Sequence, residues 1–495
     1  MKKYLIGIDI GTSGTKSVLF DLSGNKIAEA SAEYPLYQPK NGWAEQNPDD
    51  WWAAAVKTLK SLVASADGEI VGIGLSGQMH SLVMLDEDGD VIRPAILWCD
   101  GRTAQECEDI ERMLGREKLI EITANPALCG FTASKILWVK KNEPENFKKC
   151  RHILLAKDYV RYKLSGEFAT EYSDASGMQL LDVTKRCWSE EVLKALEIDT
   201  GMLAKLCESS EVSAYTSEEA STLTGLKKGT PIAGGAGDNA AAAIGMGVCH
   251  DKDAFTTVGT SGVVFVHTST PKIDKKGRIH TFCAAVPSSW HVMGVTQAAG
   301  LSLNWFRKNF ASDISYKELD SLCNSLPIGS ERLIYLPYLM GERTPLLDPD
   351  ARGVFFGLSA SHSTPHLARA VMEGVSYSLK DCLEVIDEVG IDANSMALCG
   401  GGGKSPLWRQ MLADIYGRDI SIPESDEGAA LGVAILAGVA AGIYNTVEDG
   451  CEKAVRMKDK TSPRAESTEE YMKYYQIYGE LYPVLKESFK KLAIL

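Results

Sequence analysis

Two identical four-residue turns, Gly-Thr-Ser-Gly, combine small residues and hydroxyls in a way that suits phosphate binding. The first occupies positions 11–14 and the second positions 259–262, half the length of the 495-residue chain apart. Glycine permits a tight turn, and backbone N–H groups beside the Thr and Ser hydroxyls can surround a phosphate without a helix. A single copy would be an ordinary β-hairpin turn. The repetition predicts two phosphate-binding hairpins.

Two aspartates follow strand-like segments and could act beside those turns. Asp9 lies just before the first turn, where a carboxylate could hold Mg²⁺ or its waters next to a phosphate. Asp238 follows the glycine-rich segment 230–237 and precedes a small-residue helix that begins near Ala240. The N-terminus of a helix stabilises a carboxylate. This pattern fits a catalytic base in a cleft and an ordinary N-cap equally well.

Two glycine-rich patterns resemble nucleotide motifs without fulfilling them. The sequence 72–77 has the spacing G-x-G-x-x-G, but a dinucleotide site needs a helix next, and a strand hairpin is expected after Gln78. The sequence 400–405 resembles a Walker A loop, yet position 398 is Leu and Pro406 follows the loop. We interpret this second run as backbone that approaches a nucleotide, with a plain turn into a helix as the alternative.

An alternation of strands and helices is needed to hold these residues. Strands are expected over 4–10, 16–21 and 70–75, then over 254–258 and 263–267, and 81–85 is expected to pair with 91–94. Helices are predicted over 49–64, 103–114, 156–164, 301–310, 365–389 and 406–416, and a C-terminal helix at the capping box Ser467/Glu470. The fold class is therefore α/β, with two lobes that each open on the same hairpin and a hinge near residues 240–255.

Composition limits the compartment and the classes of partner. With 45% apolar residues and 24% charged residues the chain is globular, and a net charge of −14 argues against nucleic acid. The twelve cysteines form no C-x-x-C pair, which favours reduced thiols in the cytoplasm, and the first residues are too short an apolar run for a signal peptide. The uncharged stretch 428–447 is rich in Ala and Gly, so we expect a buried helix and no membrane span.

The two hairpins, the loop 237–239 and the glycine run 400–403 together resemble the FGGY carbohydrate kinases of the actin-like ATPase superfamily. Two longer segments, 131–138 and 353–373, also match patterns of that family, and the resemblance extends over essentially the whole chain. It implies two ribonuclease H-like lobes with the ligands in the cleft between them. Residues 1–245 would form the N-terminal lobe with the sugar site and the first phosphate hairpin, and residues 246–495 the nucleotide-binding lobe.

The resemblance also implies roles for individual residues. Asp238 would be the catalytic base, and Asp9 the carboxylate on the metal side. The residues implied to bind the sugar are Met79, His80, Trp98, Asp100, Asp238 and Asn239. Those implied to bind ATP are Gly11, Thr12, Ser13, Lys16, Gly259, Thr260, Gly300, Asn304, Gly401 and Ser405. A plain core role stays open for Met79 and Trp98.

Within the family, the segment 76–80 is similar to that of members that phosphorylate D-xylulose, whereas glycerol-phosphorylating members would carry an Arg-Glu pair at 79–80. The implied activity is Mg²⁺-assisted transfer of a phosphoryl group from ATP to the 5-hydroxyl of D-xylulose. Cys99 replaces an Asn that many relatives carry, which affects the contacts expected near the sugar. Another ketose or polyol as the substrate, such as ribulose or glycerol, remains open. So do an actin-like ATPase binding protein as the class and a homodimer as the assembly.

Overall fold

The computed structural model describes all residues from 1 to 495, and it contains two seven-stranded sheets, one from each half of the chain. The predicted α/β class is confirmed. The strands of the first half are β1 (Lys3–Ile10), β2 (Gly14–Asp21), β3 (Lys26–Glu33), β4 (Glu45–Gln46), β5 (Glu69–Gly77), β6 (Val83–Leu85), β7 (Ala95–Ile96), β8 (His152–Leu154), β9 (Ala169–Glu171), β10 (Leu181–Asp182), β11 (Cys187–Trp188), β12 (Lys205–Cys207), β13 (Val212–Tyr215), β14 (Pro231–Ala233) and β15 (Ala236–Gly237). Those of the second half are β16 (Ala254–Val258), β17 (Gly262–Thr268), β18 (His280–Cys283), β19 (Trp290–Thr296), β20 (Ile334–Leu336), β21 (Val354–Phe356), β22 (Met396–Cys399), β23 (Ile420–Pro423) and β24 (Met457–Thr461).

The helices alternate with these strands and cover the faces of both sheets. In the first half they are α1 (Pro48–Ser65), α2 (Ala104–Leu114), α3 (Arg116–Thr123), α4 (Thr132–Asn142), α5 (Pro144–Lys149), α6 (Ala156–Ser165), α7 (Tyr172–Ser176), α8 (Glu190–Leu196), α9 (Glu218–Thr224) and α10 (Asp238–Gly245). In the second half they are α11 (Gly300–Phe310), α12 (Tyr316–Asn324), α13 (Thr364–Glu388), α14 (Pro406–Tyr416), α15 (Gly428–Ala440), α16 (Val447–Ala454) and α17 (Ala465–Ala493).

The two sheets share one strand arrangement. In the first, β1 pairs antiparallel with β2, β2 with β3, and β1 pairs parallel with β5, which is followed by β14. In the second, β16 pairs antiparallel with β17, β17 with β19, and β16 pairs parallel with β22, which is followed by β23. Each Gly-Thr-Ser-Gly turn therefore lies at the same place, at the end of a central strand whose other neighbour is parallel to it.

Alternate side chains of the central strands enter different layers of the core. Ile6 and Ile8 of β1 belong to a buried cluster with α1 and α6, while Leu5 belongs to a cluster with α10 and α15 on the opposite face. This alternation is what a strand covered on both faces requires.

The helices α10 and α15 pack against each other where the two halves of the chain meet. α15 comes from the second half of the chain but packs on β1 and β5, whereas Ala243 of α10 packs with Phe255 and Phe265 of the second sheet. The approach of α15 is so close that a Cβ at Gly7 would collide with the backbone of Ala430. If the chain is divided after residue 245, each part contains one of the two sheets. α15 then belongs to the second part, although it covers the sheet of the first part.

The uncharged stretch that contains α15 is buried, as predicted, with residues 430–438 almost fully inaccessible. None of the helices combines the length and the apolar composition needed to span a membrane.

Two local predictions are wrong. The C-terminal helix begins at Ala465 and not at the Ser467 capping box, because Arg464 is bonded to the buried Asp414 at 2.6 Å and fixes an earlier start. The strand β6 pairs with β8, and the expected hairpin partner 91–94 contributes a single bridge between Leu85 and Val91. Tertiary contacts decide both cases, since the local signals were present in the sequence.

Candidate active site

Asp9 and Asp238 lie at neighbouring strand ends. In the first sheet Ser76 of β5 pairs with Asp9 of β1 on one side and with Ala236 of β15 on the other. Asp238 comes two residues after Ala236 and is the first residue of α10. Three adjacent parallel strands thus bring together two carboxylates that are 229 positions apart in the sequence. Carboxyl ends of parallel strands are where such folds place their ligands.

The surroundings of the two carboxylates are unfavourable for negative charge. Burial raises the pKa of Asp238 to about 7, and the charge of Asp9 contributes to the same shift. The pKa of Asp9 is raised by burial as well, and its Oδ1 is buried without a hydrogen-bond partner. A carboxylate that titrates near neutral pH is suited to act as a general base.

Asp238 does not cap the helix that it begins. The N-cap of α10 is Gly237, which makes no side-chain cap, and Asp238 Oδ1 instead accepts from the backbone N–H of Asn239 at 2.7 Å and from its Nδ2 at 3.0 Å. The sequence left two interpretations of Asp238 open, an N-cap and a catalytic base. The structure has no N-cap at this residue. The second oxygen, Oδ2, accepts no hydrogen bond from Asn239.

The loop after β5 places Met79 and His80 against this site. The Met79 side chain is 6% exposed and lies beside Gly237, the residue before Asp238. His80 has a positive φ of 68°, and its Nδ1 is 2.8 Å from the carbonyl oxygen of Gly177. Because a carbonyl only accepts, Nδ1 carries the proton and Nε2 is left as an acceptor for a hydroxyl. Burial lowers the pKa of His80 far below its ordinary value, so the ring is neutral.

A buried lysine holds the backbone of His80 in place. Lys135 Nζ donates to the carbonyl oxygens of His80 at 2.8 Å and Gly130 at 2.6 Å, and Thr132 Oγ1 also donates to the His80 carbonyl at 3.1 Å. Lys135 is fully inaccessible, and burial lowers its pKa to about 7. The sequence analysis quoted the segment that contains Lys135 but assigned this residue no role.

The other predicted sugar residues differ in their availability. Trp98 is 45% exposed, and its Nε1 donates to Thr12 Oγ1 at 3.0 Å, which joins it to the first hairpin. Both oxygens of Asp100 are occupied, because Arg102 donates to each of them and the Ala44 N–H donates to Oδ2 at 2.6 Å. Asp100 therefore holds its loop to the backbone of residue 44, and a direct contact with a sugar stays a prediction.

Side chains that the sequence analysis missed hold the first hairpin from behind. Gln46 Nε2 donates to the Thr12 carbonyl at 2.7 Å, and the hydroxyl of Tyr34 donates to the Gly11 carbonyl at 2.5 Å. Lys16, a predicted phosphate contact, forms an ion pair with Glu427 at 2.6 Å in this structure. With the carbonyls directed inward to Gln46 and Tyr34, the opposite edge of the turn is free for a ligand.

The second hairpin opens on a large cavity of about 1140 Å³. Six of the predicted ATP contacts line it: Gly259, Thr260, Gly300, Asn304, Gly401 and Ser405. Its wall also includes Lys404 of the predicted run 400–405. Other wall residues, such as the apolar Leu303, Met372 and Trp408 and the basic Lys317 and Arg464, were not identified by the sequence analysis. The predicted contacts Gly11, Thr12, Ser13 and Lys16 lie outside this wall, on the first hairpin.

Two residues of the cavity wall, Gly300 and Ser405, have clear structural roles. Gly300 begins α11 with its N–H 2.6 Å from the Gly259 carbonyl, and a Cβ at position 300 would lie 2.5 Å from that oxygen. Ser405 caps α14 by accepting from the Trp408 N–H, and its hydroxyl donates to Asp320 at 2.7 Å. The glycine run 400–403 enters this helix through a short 3₁₀ turn, which begins at Gly401.

The second half of the chain also reaches the sugar side. Arg343 lies near His80 and His280, and after burial its charge is one of the causes that lower the pKa of both rings. Burial lowers the pKa of Arg343 itself, and no carboxylate is within ion-pair distance of its guanidinium. The sequence analysis assigned no role to this side chain. An unpaired guanidinium in a cleft is suited to an oxygen-rich ligand.

Comparison with known protein families identifies the family of this chain. The N-terminal domain model of the FGGY family of carbohydrate kinases matches residues 4–245, and the C-terminal domain model matches residues 254–441. The chain belongs to the FGGY family of carbohydrate kinases. Membership makes it a phosphotransferase that acts on a small-molecule sugar with ATP as co-substrate, as the resemblance in the sequence implied.

Individual relatives resemble this FGGY kinase over nearly its full length. A xylulose kinase of Bacillus subtilis is 39% identical over 99% of the chain and 100% of the relative, and a xylulose kinase of Escherichia coli is 40% identical over 88% and 90%. The crystal structure of ligand-bound xylulose kinase from Lactobacillus acidophilus superimposes with a TM-score of 0.94 at 29% identity, covering 99% of this chain and 100% of that one. The predicted two-lobed, actin-like fold is confirmed.

Proposed function

We propose that the protein phosphorylates the 5-hydroxyl of D-xylulose with ATP and Mg²⁺, and that Asp238 is the general base. The observation that carries the chemistry is the Asp238 carboxyl, whose pKa is raised to about 7 and whose Oδ1 alone is bonded, to Asn239. The identity of the sugar rests on the xylulose kinases that the chain resembles at about 39–40% identity.

The residues around Asp9 fit a magnesium ion. Mg²⁺ prefers oxygen ligands, retains several waters and is commonly bound by one or two carboxylates together with substrate phosphates. The buried, unpartnered Oδ1 of Asp9 and the nearby Asp238 leave negative charge uncompensated in the protein. When bound, Mg²⁺ would supply the positive charge that compensates the phosphates during transfer.

The protein's own contribution is positioning and proton transfer. Asp238 Oδ2 accepts the proton of the sugar hydroxyl while the hydroxyl oxygen bonds to the γ-phosphorus of ATP. At the same time the bond between that phosphorus and the ADP oxygen breaks. Asn239 fixes the orientation of the Asp238 carboxylate through two hydrogen bonds. His80 Nε2 accepts from another sugar hydroxyl, while Met79 and Trp98 provide apolar surface for the carbon chain.

The two hairpins and the cavity would bind different parts of the nucleotide. The apolar wall of the cavity, including Met372 and Leu303, suits the base, and Lys404 lies at the glycine run beside it. The backbone of both Gly-Thr-Ser-Gly turns would hold the phosphates. Because phosphoryl transfer has a loose transition state, such positioning accounts for most of the catalysis.

A substrate panel tests the proposal. Release of ADP is measured with D-xylulose, D-ribulose and glycerol at saturating ATP and Mg²⁺, and with no sugar. We expect the highest kcat/KM for D-xylulose and ATP turnover that depends on sugar. A higher kcat/KM for glycerol would contradict the pentulose assignment, and turnover that is independent of sugar would contradict the kinase itself.

A further inference from the structure

Two cysteines lie side by side behind the wall of the proposed sugar site. Cys107 projects from α2, Cys129 lies in the loop before α4, and their Sγ atoms are 4.0 Å apart. Both thiols are free and partly exposed to solvent. Neither has a role in the mechanism above. Because a disulfide bond is about 2.05 Å long, closing this pair requires the sulfurs to move by only about 2 Å.

The two thiols have different chemical character. The thiol of Cys107 donates to Cys129, and this hydrogen bond, opposed by burial and assisted by Thr103 and Lys135, lowers the pKa of Cys129 to about 6. The pKa of Cys107 is raised in the same contact. Cys129 is therefore the more acidic of the two thiols, and the charge of Lys135 is one of the causes. Partly exposed thiolates in positive surroundings, with a second cysteine in reach, are the cysteines that peroxides oxidise.

We propose that Cys107 and Cys129 form a reversible disulfide when the protein meets a peroxide. The Cys129 thiolate attacks one peroxide oxygen, the O–O bond breaks, and the alkoxide or hydroxide released takes up a proton, leaving a sulfenic acid. Cys107 sulfur then attacks the Cys129 sulfur, the S–O bond breaks, and the hydroxide leaves with the Cys107 proton as water. A dithiol reductant reverses the change and is itself oxidised to a disulfide.

Formation of this bond weakens sugar binding, an effect that rests on the proposed function. Cys107 is anchored in a helix, so the loop of Cys129 makes most of the movement. The next residue, Gly130, provides the carbonyl that binds Lys135, and Lys135 binds the His80 carbonyl. The following ring, Phe131, packs edge-on against His80 with centroids 4.9 Å apart. A shift of this loop therefore moves the residue that is proposed to bind a sugar hydroxyl.

Peroxide treatment followed by alkylation, digestion and mass spectrometry tests the bond directly. We expect a peptide that links Cys107 to Cys129, and its disappearance after dithiothreitol. In steady-state assays of the treated enzyme, the KM for D-xylulose should rise by about threefold to tenfold, the equivalent of one weakened hydrogen bond, while the KM for ATP changes little. Dithiothreitol should restore the original KM.

Three variants make the assignment specific. C107S and C129S should each abolish both the linked peptide and the rise in KM, whereas C187S, which removes an exposed thiol elsewhere, should retain them. Linkage of other cysteines, an unchanged KM after the bond has formed, or loss of sugar affinity in oxidised C107S would overturn the proposal. If the reduced protein phosphorylates no ketose, the proposed function and the effect on sugar binding fall together, and the linked peptide alone decides the disulfide.

Discussion

The two Gly-Thr-Ser-Gly hairpins have the same turn sequence and the same place in their sheets, yet their surroundings differ. With the turns aligned, Asp9 of the first hairpin corresponds to Thr257 of the second, and Lys16 corresponds to Val264. The first turn is held by side chains, including those of Gln46 and Trp98, whereas the second lies against backbone at Gly300 and Gly400. The same turn thus occurs twice, and an aspartate precedes only the first copy at this position.

The helices that follow the two sheets differ in a parallel way. Asp238 begins α10, and Glu427 immediately precedes α15, the helix at the corresponding place in the second sheet. Asp238 has no cation beside it, whereas Glu427 forms ion pairs with Lys16 and Lys26. A carboxylate near a helix N-terminus is therefore ion-paired in one half and without a paired cation in the other. What differs is the presence of a partner charge.

The largest effect that tests this contrast is expected for Asp238→Asn. The amide is nearly isosteric and can still bond to a hydroxyl, but it cannot accept the proton, so kcat should fall by roughly 10²–10⁴ with sugar binding retained. Steady-state kinetics with a thermal melt for the fold provide the measurement. A folded variant that keeps more than about a tenth of the wild-type kcat would rule out the base, because even the low end of the general-base range exceeds that.

The stability of the wild-type protein relative to this variant should depend on pH. Asp238 has its pKa raised from the ordinary 3.8 to about 7, so the folded protein holds this proton at pH values where the unfolded chain has lost it. Wild type should therefore lose stability relative to Asp238→Asn as the pH rises from about 4 to about 7. Melting temperatures of both proteins in metal-free buffer check this, and a difference in Tm that is constant between pH 4 and 8 would contradict it.

The second hairpin is tested by Gly300→Ala. The new methyl group would lie 2.5 Å from the Gly259 carbonyl oxygen, so the turn must shift. Since overpacking costs of order 1–3 kcal/mol, ADP affinity measured by calorimetry should weaken by about tenfold or more, with sugar binding unchanged. Gly479→Ala, which adds a methyl group in open space on α17, is the matched control. Wild-type ADP affinity in Gly300→Ala would count against the proposed contact between this turn and phosphate.

The sugar side, where the buried Lys135 holds the backbone of His80, is tested by Lys135→Met. The His80 carbonyl keeps Thr132 as its donor and loses the stronger one, and the Gly130 carbonyl loses its own. A buried acceptor without its partner costs about 1–3 kcal/mol, so the KM for D-xylulose should rise by about tenfold with little change for ATP. Lys141→Met, on the exposed face of the same helix, should change neither KM. Equal changes in both KM values would indicate a general loss of structure.

The smallest effect is expected for Glu427→Gln. The ion pair with Lys16 is partly exposed on the lysine side, and such pairs contribute up to about 1 kcal/mol. Its removal frees Lys16 for phosphate, so the KM for ATP should fall by at most about fivefold, with kcat unchanged. Weaker ATP binding in this variant would mean that Glu427 holds Lys16 in its binding position, and the Lys16→Met variant would then show the same loss.

Much of this protein could be predicted from sequence alone. The paired turns, the α/β class, helices such as α1, α6 and α14, and the family itself follow from patterns within short segments. Local patterns succeed here because turn glycines and helix periodicity act over a few residues. The glycine run 400–405 was also interpreted as a ligand-facing segment, and it lines the cavity.

Only the tertiary structure decided the groups that act through distant partners. Whether Asp100 has a free oxygen and what Lys135 binds depend on distant residues, Ala44 and His80. The packing of α15 on the first sheet could not be predicted from local sequence either, because α15 covers strands more than 350 residues before it. Burial and neighbouring charge set the pKa of a carboxyl, and both are properties of the packed fold and not of the residue type.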